Sequence, residues 1–461
     1  MKKHAESRKV KTIAMAHGLG QLQVVYRPIA ELTLDPKNPR LHTKKQIDQI
    51  ACSLRAFGFN VPVLIDPQSR VIAGHGRILA CQELGWRKVP IISLAHLTTA
   101  QIRAFAIADN KLTENAAWDE PLLAQQFKDL AAVDLDFTLE ATGFEMGEID
   151  LLIQSVAPAS SSEDDSANVV PEPSPGPPVS QPEDLWWLGP HRVSCGSALE
   201  DTAYASLMGT QRAAMVFTDP PYNVPIEGHA SGLGRVRHHN FVMGSGEMSE
   251  AEFTAFLLKT CTLLCRYTRD GSLHFMCMDW RHAGELLAAG RTAYTELKNM
   301  CVWDKGAGGM GSLYRSGYEL VFVYKQGSGR HRNNVQLGQF GRNRTNVWRY
   351  PGAHSFARAS EEGNLLALHP TVKPVALVAD AILDASARHD IVLDPFLGSG
   401  TSIIAAERTG RICYGLELDP RYVDVTIRRW QAYTGDFARH AVTGRRFDEV
   451  AKKGGARHAP R

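Results

Sequence analysis

One short stretch of the chain combines residue types that could bind and activate an amino group on a flat heterocycle. The apolar run at 213–218 predicts a buried strand, and Asp219-Pro220-Pro221-Tyr222 follows it in a turn that a helix cannot accommodate. Asp219 and the carbonyl of Pro220 can accept the two N–H bonds of an exocyclic amino group, while Tyr222 can stack on the ring. These four residues are the predicted catalytic set. Alone, the motif also fits a strand that ends in a proline-rich turn.

A second stretch has the features of a cofactor site. A buried strand at 390–393 leads into a glycine turn and a helix, and Glu417 ends the next strand, nineteen positions after Gly398. The glycines let a ligand lie against the backbone at a helix N-terminus, and a carboxylate at this spacing commonly binds ribose hydroxyls. The motif residues are Asp394, Pro395, Phe396, Gly398, Gly400 and Thr401. Taken alone, they also fit a nicotinamide fingerprint.

The two motifs together resemble those of amino-group DNA methyltransferases, which methylate N6 of adenine or N4 of cytosine. A third segment, HPTVKP at 369–374, is similar to an additional cofactor segment of that family. The resemblance implies that S-adenosyl-L-methionine is the cofactor and that Thr371, Lys373 and Pro374 help to bind it. The order of the motifs, catalytic before cofactor, resembles the β group of these enzymes over roughly 185–447.

The strand–helix–strand rhythm of 184–447 predicts a doubly wound, Rossmann-like α/β domain with a largely parallel sheet. Such a sheet would bring the carboxyl ends of the two motif strands side by side, where open α/β folds bind ligands. The expected chemistry is an in-line displacement on a flipped base, in which positioning supplies most of the catalysis. The chain has no Pro-Cys pair, which argues against a cytosine-C5 enzyme.

An arginine-rich segment between the motifs is the candidate for target recognition. Arginine with Asn, Gln and aromatic residues suits phosphate contacts and readout of base edges in double-stranded DNA. A solvated surface loop is the alternative. The resemblance implies that Asn223 and residues 315–319 line the cleft of the active site. The predicted nucleic-acid-binding residues are Asn223, Arg315, Arg330, Arg332, Arg342 and Arg344.

The region 25–155 predicts a smaller α+β domain. Its motifs at 38–40, 74–77 and 108–111 resemble those of ParB/sulfiredoxin-like N-terminal domains. The resemblance implies a nucleotide or anion site at Gly74-His75-Gly76-Arg77, since glycines and a helix N-terminus suit phosphate. A glycine turn with a surface arginine is the alternative, and a protein partner is left open. No convincing helix-turn-helix is evident after this region.

The length, the net charge and the cysteine content of the chain agree with this organisation. A chain of 461 residues is too long for one ordinary core, and 156–183 reads as a Pro/Ser-rich linker. Residues 1–24 and 448–461 are expected to be a flexible basic arm and a basic tail. The net charge of +2 confines any DNA contact to a local patch, and the eight scattered cysteines indicate neither zinc nor disulfides. No metal or membrane segment is expected, and the location is expected to be cytoplasmic, in a bacterium, phage or mobile element.

The leading hypothesis is a site-specific DNA adenine-N6 methyltransferase with a ParB-like accessory domain. Asp-Pro-Pro-Tyr favours adenine, because cytosine-N4 enzymes of the family it resembles more often carry serine first. A cytosine-N4 enzyme is the alternative. A hypothesis of another class is a ParB-like DNA-organising protein whose methyltransferase domain is idle. The recognition sequence is not predicted, and a homodimeric assembly is left open.

Overall fold

The computed structural model describes residues 22–156, 166–174, 176–224, 246–306, 314–339, 342–351 and 372–456. The chain forms two compact units, Met1–Glu145 and Met146–Arg461. This division lies before the boundary expected at residue 155, because the helix Met146–Ser155 belongs to the second unit. Asp150 of that helix forms a buried bidentate ion pair with Arg411, which explains the assignment.

The first unit is an α+β domain built on a small sheet. Its elements are β1 (Val25–Pro28), α1 (Lys44–Phe57), β2 (Val63–Ile65), β3 (Val71–Ala73), α2 (His75–Glu83), β4 (Lys88–Ser93), α3 (Thr99–Glu114) and α4 (Glu120–Ala131). The strand order is β1-β4-β2-β3, with β2 and β4 parallel and the other pairs antiparallel. Thr43 and Thr98 cap α1 and α3 by accepting backbone N–H groups of the first turn, which fixes where these helices begin.

The second unit contains the larger sheet and its helices. Its strands are β5 (Leu185–Leu188), β6 (His191–Cys195), β7 (Ala213–Thr218), β8 (Thr268–Met278), β9 (Glu296–Asp304), β10 (Tyr318–Lys325), β11 (Val347–Arg349), β12 (Ile391–Asp394), β13 (Ile412–Glu417) and β14 (Arg439–His440). Its helices are α5 (Met146–Ser155), α6 (Asp201–Met208), α7 (Glu250–Tyr267), α8 (Ala283–Ala293), α9 (Val375–Ala385), α10 (Thr401–Thr409), α11 (Pro420–Thr434) and α12 (Phe447–Ala456).

The larger sheet has the order β11-β9-β10-β8-β7-β12-β13-β6-β5-β14. Its centre, β8-β7-β12-β13-β6, is parallel, and antiparallel strands lie on both sides. Side chains alternate between two cores. Met215 and Phe217 pack with α9, α10 and α11, whereas Val216 packs with α6, α7 and α8. Helices thus cover both faces, which confirms the doubly wound α/β fold that the sequence predicts.

Residues of the expected linker, from Ala167 to Ser180, are held by the helix α11. Ala167 is buried, and its carbonyl accepts a 2.8 Å hydrogen bond from Arg429. The backbone N–H groups of Val179 and Ser180 donate to the carboxylate of Asp424. The composition of this segment favours an extended chain, but side chains of α11 satisfy its backbone polar groups, so the segment is held. The expected basic tail also begins as a helix, α12.

Among the described residues, no helix has both the length and the apolar character needed to cross a membrane.

Candidate active site

The carboxyl ends of β7 and β12 lie side by side in the larger sheet. The two strands pair in parallel, with Val216 opposite Leu393. Thr218, the last residue of β7, donates a 2.8 Å hydrogen bond from Oγ1 to Oδ1 of Asp394, and both side chains are buried. The Asp-Pro-Pro-Tyr turn and the glycine turn therefore leave neighbouring strands at one edge of the sheet. This is the juxtaposition that the parallel-sheet argument predicts.

Asp219, Tyr222 and Lys373 form one hydrogen-bonded cluster. The Tyr222 hydroxyl donates to Oδ1 of Asp219 at 2.6 Å, and Nζ of Lys373 donates to Oδ2 at 2.5 Å. Nζ also lies 3.2 Å from the Tyr222 hydroxyl and 5.4 Å from the centre of its ring. The Lys373 side chain is only 4% exposed. The sequence motif assigns Lys373 to the cofactor site, whereas the structure places its ammonium on the carboxylate of Asp219.

A second carboxylate, Glu319, belongs to the same cluster. Its Oε2 atom lies 3.0 Å from Nζ of Lys373 and 3.1 Å from the Tyr222 hydroxyl. Its Oε1 atom accepts a 2.5 Å hydrogen bond from Lys305, which follows β9. Residues 315–319 are expected near the cleft of the active site, but the sequence predicts no role for Glu319 or Lys305. Their positions become apparent only when β9 and β10 pair in the sheet.

The two carboxylates of the cluster differ in proton affinity. Burial raises the pKa of Asp219 above its ordinary value, although the Lys373 ammonium opposes this. Burial also acts to raise the pKa of Glu319, but Lys373 and Lys305 outweigh it and lower that pKa to about 2. Burial would lower the pKa of Lys373, yet Asp219 and Glu319 raise it above its usual range. Glu319 and Lys373 are therefore charged at neutral pH, and Asp219 is the better proton acceptor.

The glycine turn after β12 offers space for a ligand at one of its two positions. Gly398 has φ +55°, and a Cβ atom there would enter open space. Gly400 has φ +82°, but a Cβ atom there would lie 2.7 Å from Cγ2 of Thr426. Gly398 is thus the position where a bound molecule can approach the backbone, whereas Gly400 is required by packing against α11.

Glu417 faces this turn from the end of β13. One of its carboxylate oxygens accepts the N–H of Gly398 at 2.8 Å and the other accepts the N–H of Asp419 at 2.9 Å. Burial raises the pKa of Glu417 to about 7, with the two backbone donors opposing. A carboxylate has about four acceptor positions, so hydroxyl donors of a ligand can still bind here.

Asp394 holds the turn together instead of facing open space. Its carboxylate accepts hydrogen bonds from Thr218, from Ser402 at 2.6 Å and from the N–H of Phe396 at 3.1 Å. Burial raises its pKa to about 6. The direct cofactor contact expected of Asp394 stays a prediction, and the hydrogen bonds described for its carboxylate hold the turn in place.

Three of the remaining predicted cofactor residues, Pro395, Phe396 and Thr401, belong to the same strand–turn–helix segment. The Thr401 hydroxyl accepts a 3.2 Å hydrogen bond from the buried Arg429, and Phe396, after Pro395, packs on Phe256. Pro374 precedes α9 and is buried. Thr371 lies outside the described residues.

Two of the predicted DNA-binding residues lie near the cluster in the chain. Asn223 follows Tyr222 and has φ +53°. Its side-chain amide accepts the N–H groups of Gly246 and Met248 and donates to the Met248 carbonyl. The amide is therefore bound to the protein backbone. Arg315 is exposed, just before β10, at the edge of the sheet that carries Asp219.

The structure does not bring the other predicted DNA-binding residues to this edge. Arg330 and Arg332 follow the far end of β10, and the Arg330 carbonyl lies against Gly271 near the start of β8. Arg342 and Arg344 are paired with two carboxylates of α9. Their ion-pair partners are Asp380 and Asp384, at distances of 2.7 to 3.2 Å. The arginine-rich run thus serves packing in its second half, a possibility that composition alone does not reveal.

In the first unit, the predicted anion site occupies the turn from β3 to α2. Gly74 has φ +105° and precedes the helix. Nε2 of the buried His75 accepts the N–H of Asp35 at 3.3 Å, and burial lowers the pKa of His75. Gly76 packs against His42, and Nε of Arg77 has no hydrogen-bond partner. Burial also lowers the pKa of Arg77.

Within the described ranges there is no group of three or more His, Cys, Asp and Glu side chains that could hold a metal ion.

Three family models match the chain. A DNA methylase model of the N6/N4 class matches residues 213–428, and a ParB N-terminal domain matches 14–111. A ParB-methyltransferase HTH domain matches 121–182. The last match corrects the expectation that no helix-turn-helix follows the first domain. The described helices of this region are short, and the matched region extends into the Pro/Ser-rich segment. Apolar periodicity alone therefore does not predict this domain.

Individual relatives match either half of the chain. The ParB-like nuclease domain-containing protein YnaK of Escherichia coli strain K12 is 43% identical over 81 residues, covering 18% of this chain and 93% of YnaK. The type II methyltransferase M.ScaI of Streptomyces caespitosus is 34% identical over 98 residues, 21% of this chain and 32% of M.ScaI. The chain thus spans about a third of that relative. A crystal structure of the M1.HpyAVI–SAM complex aligns with a TM-score of 0.36 at 17% identity, covering 51% of this chain and 97% of that chain.

Proposed function

We propose that the chain methylates the exocyclic N6 of adenine in DNA, because a DNA methylase model of the N6/N4 class matches residues 213–428 and a ParB N-terminal domain matches 14–111. The observation that carries the proposal is the pairing of β7 with β12. This pairing supports the proposal because the turn that carries Asp219 and Tyr222 and the turn that carries Gly398 leave neighbouring parallel strands at the same end. A base and a methyl donor that bind there would meet at one edge of the sheet, as ligands do in open α/β folds.

The residues around Gly398 fit S-adenosyl-L-methionine, the cofactor of this family. The open space at Gly398 lets a ligand touch the backbone, and the Glu417 carboxylate beside it can accept ribose hydroxyls. Thr401 and Phe396 complete the turn. When bound, the cofactor supplies a methyl group on a good leaving group. The contribution of the chain is then to orient the acceptor and to keep water away from it.

The acceptor amine is held by the catalytic turn. Asp219 and the Pro220 carbonyl accept the two amino hydrogens, which leaves the nitrogen lone pair directed at the methyl carbon. Tyr222 stacks on the flipped base and stabilises it by about 1–3 kcal/mol. Nζ of Lys373 lies at the hydroxyl end of the Tyr222 ring, 3.2 Å from the oxygen and 5.4 Å from the ring centre. The 2.6 Å hydrogen bond from the Tyr222 hydroxyl to Asp219 fixes the ring for the contact with the base.

The proposal is tested with the purified full chain, radiolabelled S-adenosyl-L-methionine and unmethylated genomic DNA. Mass spectrometry of the nucleosides should give N6-methyladenine. Asp219→Ala should abolish transfer, whereas the exposed Glu296→Ala, on β9, should retain it. N4-methylcytosine as the product would establish the alternative specificity instead. No methylated base from a folded chain would refute the proposal and favour the DNA-organising alternative.

We also propose that the ParB-like domain binds a nucleotide phosphate at Gly74–Arg77. Arg77 carries an unpartnered Nε at the start of α2. The other two motifs behind the resemblance contact each other, since Arg40 donates to Asn110 at 3.0 Å. Titration with fluorescent nucleoside triphosphates should show binding that Arg77→Ala weakens. Equal affinity in both chains would refute this site.

A further inference from the structure

The charged cluster at Asp219 extends beyond the residues of the catalytic motif. We propose that Glu319 is a positioning residue for methyl transfer: it shares the Lys373 ammonium with Asp219, and Lys305 holds Glu319 in place. The inference rests on the proposed function, because it concerns the orientation and charge of Asp219 in that reaction.

The geometry assigns the Lys373 ammonium to this cluster. An ammonium has three N–H donors, and three oxygen atoms lie within hydrogen-bond distance of it. These are Oδ2 of Asp219 at 2.5 Å, Oε2 of Glu319 at 3.0 Å and the Tyr222 hydroxyl at 3.2 Å. Each donor therefore has an acceptor, and a cofactor carboxylate would have to displace one of them. Lys373 thus acts on Asp219 and not on the methyl donor.

The charges of the cluster require Glu319. Two carboxylates, Asp219 and Glu319, are balanced by two ammonium groups, Lys373 and Lys305. Without Glu319 the nearly buried Lys373 would have Asp219 as its single carboxylate partner. A tighter pair would occupy the oxygen that the target amine needs. Glu319 therefore shares the ammonium and leaves Asp219 able to accept a hydrogen bond from the base.

The same arrangement gives the two carboxylates different roles with respect to protons. As the amino nitrogen bonds to the methyl carbon, the carbon–sulfur bond breaks and its electron pair stays on sulfur. The nitrogen then carries one proton too many, which Asp219 accepts and later releases to water. Glu319, beside two ammonium groups, stays ionised throughout. Pairs of titratable groups whose surroundings separate their proton affinities commonly divide acid–base roles in this way.

The test compares Glu319→Gln, Lys373→Met and the surface control Glu296→Gln in single-turnover methylation across pH. Glu319 raises the pKa of Asp219 and Lys373 lowers it. The acid limb of the pH–rate profile should therefore move to lower pH in Glu319→Gln and to higher pH in Lys373→Met. The rate at neutral pH should fall about 100-fold in both, as expected for a misplaced catalytic group. The control should match the wild type.

Cofactor affinity provides a readout that does not depend on activity. Calorimetric titration with S-adenosyl-L-methionine should give dissociation constants within about threefold of wild type for both variants. A loss of about tenfold or more in Lys373→Met, with fixed acid limbs, would identify a cofactor contact and overturn the inference. If Glu319→Gln does not fold, Lys373→Met is compared with Lys373→Arg, which retains the charge. If the acid limbs of the pH–rate profiles of Lys373→Met and Lys373→Arg lie at the same pH, the inference is also overturned.

The wild-type profile separates this inference from the proposed function. If the wild-type chain transfers no methyl group to DNA, the proposed function and the inference both fail. If it does, and the acid limbs of the variants do not move in opposite directions, the inference alone fails.

Discussion

The two glycines of the turn after β12 predict a sharp difference between two otherwise identical substitutions. Gly398 and Gly400 both have positive φ, so alanine at either position adopts the left-handed conformation at a strain of about 1–2 kcal/mol. That strain is common to both variants and cancels when they are compared. What remains is the space that the new methyl group enters, which is open at Gly398 and occupied by Thr426 at Gly400.

The expected magnitudes follow from that space. Gly400→Ala should lower the free energy of unfolding by about 1–3 kcal/mol more than Gly398→Ala, because its Cβ would lie 2.7 Å from Cγ2 of Thr426. Gly398→Ala should lose little stability beyond the backbone strain of the left-handed conformation. Its methyl group would instead occupy the space proposed for S-adenosyl-L-methionine, and a displaced contact of about 1.4 kcal/mol corresponds to a tenfold loss of affinity.

Two assays decide the matter. Denaturant unfolding of the ligand-free chains measures stability, and calorimetric titration with S-adenosyl-L-methionine measures affinity. Thr426→Ala provides the control, since it removes both atoms nearest the new methyl group. The double variant Gly400→Ala/Thr426→Ala should therefore lose less stability than the sum of the single changes. Unchanged cofactor affinity in Gly398→Ala, or additive losses in the double variant, would refute the reading of this turn.

Three further changes test other parts of the structure. Asp150→Ala leaves Arg411 buried without its carboxylate and should cost about 3–5 kcal/mol in denaturant unfolding, whereas Asp150→Ala/Arg411→Met should recover part of this loss. Burial raises the pKa of Glu417 from 4.5 to about 7. Ionisation of this group therefore lowers the free energy of unfolding as the pH rises from 4.5 through 7. Glu417→Gln should lack that decline in pH-dependent unfolding, and calorimetry should show cofactor affinity rising through the same window only in wild type. Arg315→Ala should weaken DNA binding in filter assays and reduce its salt dependence, whereas Arg330→Ala, at the far edge, should not.

The sequence predicts those parts of the site that depend on neighbouring residues in the chain. The strand, glycine turn and helix at 391–409 follow from local apolar pattern and glycine spacing, and so does the strand before Asp219. The pairing of these two strands also follows, because parallel α/β sheets align carboxyl ends. The convergence of Lys373 and Glu319 on Asp219 was not predictable. It depends on how β10 and the start of α9 approach β7, and no local pattern encodes that.

The same distinction explains why the sequence does not predict the ion-pair partners of the arginine-rich segment. A run of arginines looks alike in sequence whether it faces phosphates or the carboxylates of a neighbouring helix. Asp380 and Asp384 lie one turn apart on α9 and so present two acceptors to Arg342 and Arg344. A residue can serve the proposed reaction only at the end of the sheet where Asp219 follows β7. The charge of a side chain therefore identifies candidates for DNA contact. The direction of the strand that carries the side chain determines whether it can reach the base.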